Sequence, residues 1–241
     1  MPEGPLTPDR RRLEPEEGAP LPRAPFVELG VASCFSFLRG ASDPVDLVLT
    51  ARRLGYDALG IADVNSMAGV VRLHTEAKAL RLRPVIGCRI ETVEGLAFLA
   101  YPQDRAAYGR LCRMISAGRM ATLDGEWQAK GQCHIDLAML AAHAEGVQLI
   151  LLPPTHLDQA FTIETAGNVV SLEGGGKVLS TSLSLPFAEL LPNLVHRLST
   201  LRHLGATLVH GGDDMARIAA LDALARDNGL SLLATNDVLY H

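Results

Sequence analysis

The chain reads as an α/β protein: a barrel or near-barrel of parallel strands wrapped in helices. Apolar runs of strand length alternate with segments of helical spacing along the 241 residues, the pattern of strands linked by crossover helices. About seven strand candidates fall within roughly 215 residues, which suits a closed or nearly closed sheet better than a small open one. The glycine fingerprints of open nucleotide-binding sheets are missing, since no GxGxxG follows the first strand and no GxxxxGK runs into Ser or Thr. A doubly wound sheet remains the alternative.

The elements follow in order. Residues 1–24 hold six prolines, several charges and few large apolar side chains, the composition of a disordered lead-in. Residues 25–241 then form the barrel domain. Phe26, Val27 and Leu29 suggest a first short strand. Ser42-Asp43-Pro44 starts a helix, because Ser or Asp caps and Pro is tolerated in the first turn; Val45, Leu47, Val48, Ala51 and Leu54 continue it and Gly55 stops it. Ala58 to Ala62 is a strand, Met67 to Leu80 a helix, and Pro84 to Gly87 and Leu96 to Ala100 two more strands. Gln103 to Gly118 is a helix, Asp136 to His143 another that Asp136 caps, and Val147 to Leu152 a buried strand ended by Pro153-Pro154. The divergent stretch around 153–186 alternates at Phe161–Thr165 and again at Val178–Leu185, with Gly174-Gly175-Gly176 between, and suggests a β-hairpin or an irregular excursion. Leu190, Leu191, Leu194, Leu198 and Leu201 carry a helix from Pro186 to His203. A strand at Ala206–Val209, a helix from Asp213 to Asn228 and a last strand at Leu230–Thr235 complete the order.

Composition excludes several function classes. The net charge is −5 with only 22 Lys and Arg, so direct nucleic-acid binding by this chain is not expected, because phosphate binding draws on clustered positive charge. No apolar run approaches the length of a membrane span, and the N-terminus lacks the apolar segment of a signal peptide. Cys34, Cys88, Cys112 and Cys133 form no CxxC pair and read as reduced structural thiols of a cytoplasmic protein.

In a barrel of this kind chemistry sits at the C-terminal strand ends. Those positions hold Gly30 and Ala32, Asp63 and Asn65, Arg89 and Glu91, and Asn236 and Asp237. A polymetal phosphoesterase needs carboxylates and neutral imidazoles converging there to bind ions that activate water. Asp63 and Asp237 are weak candidate ligands, Glu91 is a third carboxylate if it turns inward, and His210 is the histidine best placed beside a strand end. The remaining histidines read as helix or loop residues, apart from His241 at the chain end. Arg89 needs compensation if buried, and Asp63 and Asp237 are its nearest logical partners; the competing reading turns Arg89 to solvent or to a neighbouring domain.

Several ordered motifs carry a resemblance to a known family. Phe35-Ser36-Phe37-Leu38-Arg39-Gly40-Ala41-Ser42, the run Leu54 to Asp63 with its continuation Asn65 to Val71, Tyr101 to Leu111, Gly212-Asp213-Asp214 and Leu233 to His241 are similar to the N-terminal polymerase-and-histidinol-phosphatase (PHP) domain of bacterial C-family DNA polymerase alpha subunits. Within that family they most resemble the error-prone branch used in damage-induced synthesis. The resemblance implies a PHP-type distorted (β/α)7 barrel. It also implies seven metal-site positions, matched here by Gly30, Ala32, Asp63, Val64, Arg89, Asp237 and Leu239. Only Asp63 and Asp237 keep a ligand-type side chain, so a non-catalytic domain without catalytic residues, metal or other cofactor is expected. The parent is expected to continue past His241 into a palm domain that holds the polymerase carboxylates and uses Mg2+. The expected partners are that palm and thumb region and other damage-response replication proteins. A residual phosphoesterase using Asp63, Asp237, Glu91 and His210, and a free-standing protein-interaction module, are the alternatives.

Overall fold

The structure is a computed structural model that describes residues 26–240 apart from 124, 130, 166–168, 171–176 and 179–180. The expected lead-in, the three consecutive glycines and His241 lie outside the described residues. Among the described residues the elements run α1 (Pro44–Arg53), β1 (Ala58–Val64), α2 (Val70–Ala79), β2 (Arg83–Glu91), β3 (Ala97–Pro102), α3 (Arg105–Met120), β4 (Thr122–Leu123), β5 (Glu126–Trp127), α4 (Leu137–His143), β6 (Val147–Leu152), β7 (Ala160–Thr165), β8 (Val169–Val170), β9 (Lys177–Val178), β10 (Thr181–Pro186), α5 (Phe187–Arg197), β11 (Leu201–Ala206), α6 (Asp214–Asp227) and β12 (Ser231–Ala234).

The main sheet has six strands in the order β1-β2-β3-β6-β11-β12. β1 and β2 are parallel, as are β6, β11 and β12. β3 runs antiparallel to both β2 and β6, which corrects the all-parallel expectation. The reason is connection length: Thr92 to Leu96 is a tight turn with Gly95 at φ +85°, far too short for a crossover helix. The first segment is not a full strand either. It makes single parallel bridges, Glu28 to Leu59 of β1 and Val31 to Val238 just beyond β12. The two edges of the sheet are thereby tied together through residues 28–31, and the sheet curls.

Local chemistry explains the helix starts. Asp43 caps α1 by accepting from Val45 N at 3.0 Å, with Pro44 as the first helical residue. Asp104 and Asp136 cap α3 and α4 in the same way, accepting from Ala107 N and Met139 N. Two boundaries depart from the leucine periodicity. α5 ends at Arg197, and Leu201 opens β11 rather than continuing the helix. β11 ends at Ala206, so Thr207–Val209 is loop. Leu198, Leu201 and Leu204 are all buried in one apolar cluster, and burial alone does not distinguish a helix period from a strand. The 153–186 stretch does form a hairpin-like pair, with β7 antiparallel to β10 and Phe161 and Ile163 turned into the core beneath α5.

Alternation along β1 separates two layers. Leu59 and Ile61 pack outward against Leu47 and Val48 of α1 and Leu73 of α2. Ala62 points the other way, into a small internal cluster with Leu99, Tyr101 and Ile150. Tyr101 fills this interior and donates its hydroxyl to Leu29 O. Gly87 and Gly60 make room for it, since a Cβ on Gly87 would lie 2.5 Å from the ring and one on Gly60 2.7 Å from the hydroxyl.

Candidate functional site

The C-terminal strand ends converge on a cleft of about 390 Å³ lined by Arg39, Arg89, Asp237, Arg217, Phe161 and the Pro153–Pro154 turn, among others. Its electrostatic centre is Asp237, whose φ of +49° is a conformation that Asp tolerates better than most residues. Arg39 Nη2 donates to Asp237 Oδ2 at 2.6 Å, and Arg89 Nη1 donates to Oδ1 at 3.3 Å. Arg89 Nε also donates to Glu91 Oε1 at 2.8 Å. The Glu91 carboxylate, 43% exposed, thus partners the arginine and is absent from the described cleft lining. Only 13% of the Arg89 side chain is exposed, and the two carboxylates balance the charge that burial would otherwise penalise.

Asp63 is not part of this network. It shares the outward parity of Leu59 and Ile61, is 1% exposed, and is held by serines. Ser33 N lies 2.8 Å and Ser36 Oγ 2.6 Å from Asp63 Oδ1, while Ser33 Oγ lies 2.9 Å from both carboxylate oxygens. Its second oxygen abuts the N-cap of α2, where a Cβ added to Gly69 would come within 2.4 Å. Arg89 thus pairs with Asp237 and not with Asp63. Asn65, at φ +44°, joins β1 to β2: its side-chain amide donates to Glu91 O and accepts from Glu91 N, both at 3.1 Å.

The other expected positions carry no donor atoms toward the cleft. Val64 is the register partner of Arg89. Ala32 N donates to Val238 O at 2.9 Å, and Leu239 O accepts from Ala41 N at 2.8 Å, so both contribute backbone only. Gly30 is packed so closely that a Cβ would meet Thr235 Oγ1 at 2.5 Å. His210 follows loop rather than strand, is exposed at φ +55°, and is absent from the described lining. Among the described residues no group of three or more His, Cys, Asp or Glu lies close enough to hold a metal ion. These residues do not fit a phosphoesterase metal cluster, because a guanidinium, an apolar side chain and a glycine without space occupy positions where ligand atoms are needed.

Sequence reasoning missed several residues that matter. Glu28, 1% exposed, accepts from Gly30 N at 2.7 Å, Thr235 Oγ1 at 2.5 Å and Asn236 N at 2.8 Å. It ties the first segment to the last strand. Its signal was an acidic residue inside an otherwise apolar strand. Arg39 lies within the Phe35–Ser42 motif, whose sequence assigns it no role. Arg217, on α6, gave no signal; it holds the mouth by donating to the carbonyls of Pro154, Thr155 and Thr207. The cysteines are thiols and not disulfides. Burial, with smaller contributions from nearby Cys112, Asp63 and Cys133, pushes the Cys88 thiol far above its ordinary range.

The comparisons with known proteins agree with this frame. The PHP domain family profile matches residues 28–173, and the chain belongs to that family. It is 38% identical over 221 residues to the error-prone DNA polymerase of Rhodopseudomonas palustris, covering 90% of this chain and 17% of that one. It is 36% identical over 217 residues to the error-prone DNA polymerase of Caulobacter vibrioides, with the same coverage. The chain thus spans about a sixth of the length of these curated relatives. Among solved structures, a protein from Bifidobacterium adolescentis assigned as a metal-dependent phosphoesterase matches with TM-score 0.57 at 15% identity, over 88% of this chain and 87% of that one. An amidohydrolase from Chromobacterium violaceum, solved with sulfate and no metal, matches with TM-score 0.54 at 13% identity, over 89% and 87%. At such identities these two show the fold alone.

Proposed function

We propose that this chain is the non-catalytic PHP barrel of an error-prone DNA polymerase, with the polymerase active site outside it. One observation carries the reading: Arg89 stands where a metal-binding relative needs a carboxylate, and it is bonded to Asp237, a surviving ligand-type residue. A fixed cation takes the place of a bound one, and the strand ends stay ordered without metal. The seven positions Gly30, Ala32, Asp63, Val64, Arg89, Asp237 and Leu239 are then the remains of a metal site on a distorted (β/α)7 barrel, in which residues 28–31 bridge the two sheet edges by single pairings. Residues 25–241 form that barrel, and 1–24 are its lead-in.

The full-length parent would perform Mg2+-dependent, DNA-templated synthesis across damage in the cytoplasm. This barrel packs against its palm and thumb region, and other damage-response replication proteins are its further partners. The acidic chain leaves the DNA grip to the rest of the protein. Among the described residues no helix is long and apolar enough to cross a membrane. Exposed Phe37 and Leu38, at 86% and 93%, support a surface that the polymerase body covers. The test is metal analysis and phosphodiesterase assay after purification from zinc- and manganese-supplemented medium. The expected result is substoichiometric metal and no activity. A bound metal whose hydrolytic activity vanishes in Asp237→Ala would restore the residual-phosphoesterase reading.

A further inference from the structure

We propose that a cationic face at the opposite end of the sheet from the Asp237 cleft is a docking surface for the acidic run Leu13-Glu14-Pro15-Glu16-Glu17 of this same chain, which lies outside the described residues. Two turns build the face. Residues 52–57 close α1 and lead into β1, and residues 78–83 close α2 and lead into β2. β1 and β2 are parallel with Ala58 opposite Arg83, and Arg83 N donates to Asp57 O at 3.0 Å, so both turns open at the N-terminal edge of the sheet. Arg52, Arg53, Lys78, Arg81 and Arg83 are all exposed there. Asp57 and Glu76 are the carboxylates on these two segments, and they and Arg53 already have partners. Five cations against two carboxylates leave three positive charges in a chain whose net charge is −5. Among the described residues no ion pair to Arg52, Lys78, Arg81 or Arg83 is found.

Helix chemistry accounts for part of this charge. Arg52, Arg53 and Lys78 sit in the last turns of α1 and α2, where cations offset the helix dipole. Arg81 and Arg83 lie beyond both helices. Arg81 follows the C-cap of α2 at φ +55°, a position that glycine fills at least cost, so the guanidinium is carried there at some expense in backbone strain.

Charge and reach select the occupant. Phe26, the first described residue, packs edge-to-face on Tyr56 with ring centroids 5.9 Å apart, so the chain enters the fold beside this face. Glu17 is nine residues earlier, a connection that spans at most about 30 Å. Residues 13–22 hold three carboxylates and no cation. Leu13 supplies an apolar contact for Leu54, 44% exposed among the cations. Arg10-Arg11-Arg12 are repelled by the same face and stay outside it. A nucleic acid suits the face less well, because Asp57 and Glu76 interrupt it and the whole chain is acidic.

This docking is independent of whether the Asp237 cleft holds metal. Carbodiimide cross-linking of the 241-residue chain in dilute, low-salt solution tests it, because the reagent joins a carboxylate directly to an amine and Lys78 supplies the amine on this face. Mass spectrometry of the cross-linked monomer is expected to show Lys78 joined to Glu14, Glu16 or Glu17. Arg81→Gln with Arg83→Gln leaves every reacting group in place and should lower that yield about fivefold, the scale of two exposed ion pairs. Salt at about 1 M should lower it similarly. Absence of the Lys78 link, or a yield unchanged by the double variant or by salt, would overturn the proposal, since tethering alone would then explain the contact. Links formed between chains would overturn it by giving the face to a second copy. Single-stranded DNA binding that the double variant abolishes would overturn it by giving the face to a phosphate backbone.

Discussion

Arg89 and Asp237 illustrate how far one side chain can redirect a site. Asp237 is a ligand-type residue held by two guanidiniums, and Asp63 is a buried carboxylate saturated by two serines. Placing single ligand-type side chains at these strand ends is therefore not expected to create a metal centre. Gly30→His or Gly30→Ala drives a Cβ into Thr235 and costs about 1–3 kcal/mol by overpacking; chemical denaturation checks this, and an unchanged midpoint would show that the strand end relaxes freely. Gly87→Ala meets the Tyr101 ring and should cost a similar ~1–3 kcal/mol. Pairing it with Tyr101→Leu should recover part of that loss if the ring is the cause.

Glu28 decides how the first and last elements meet. The sequence predicts a strand near Phe26 to Leu29, but the structure gives two single bridges, and the Glu28 carboxylate provides the remaining connection through Gly30, Thr235 and Asn236. Glu28→Gln keeps the shape and loses the charge-assisted bonds, with an expected cost of about 1.5–3 kcal/mol. Hydrogen exchange should then show faster opening at residues 28–31 and 231–238 than in α3. Uniform loss of protection across the chain would argue against a local tie. Most other elements were legible, because their caps and punctuation are local: Asp43-Pro44, Asp104, Asp136, Gly55 and Gly229 mark the helix ends found. The antiparallel β3 was readable from the five residues Thr92 to Leu96, which leave no space for a crossover. The α5–β11 boundary was not, because Leu198 and Leu201 are buried on either side of it and hydrophobicity does not reveal the backbone turn between them.

At the scale of the whole molecule, burial sets a pH response. Desolvation pushes the Cys88 thiol and the Tyr101 phenol upward, so the folded protein keeps these protons when the unfolded chain has released them. Their contribution to stability is complete below the ordinary thiol value of 9.0 and is lost as pH rises above it. Urea midpoints from neutral to alkaline pH should fall, and Cys88→Ala should flatten that fall; an identical slope in the variant would assign the response elsewhere. The exposed pair Phe37 and Leu38 tests the proposed covering surface. Phe37→Ser with Leu38→Ser should change stability by no more than about 0.5 kcal/mol per site and reduce self-association in light scattering. On the proposed function, the same substitutions in a full-length polymerase parent should loosen packing of this domain on the rest of the protein, detectable as increased proteolysis between them.

The sequence by itself determined the family, the α/β alternation, most element boundaries and which side chains stand at the strand ends, because each of these is written in short-range pattern or in the identity of one residue at one strand end. Only the tertiary structure decided that Arg89 takes Asp237 and leaves Asp63 to Ser33 and Ser36. It also decided that Glu28 ties the sheet edges and that Arg217 reaches the cleft from α6. These pairings join residues far apart in the chain. Which face of β1 a carboxylate occupies, and which guanidinium reaches it, depends on strand register and sheet curvature, neither of which residue spacing specifies.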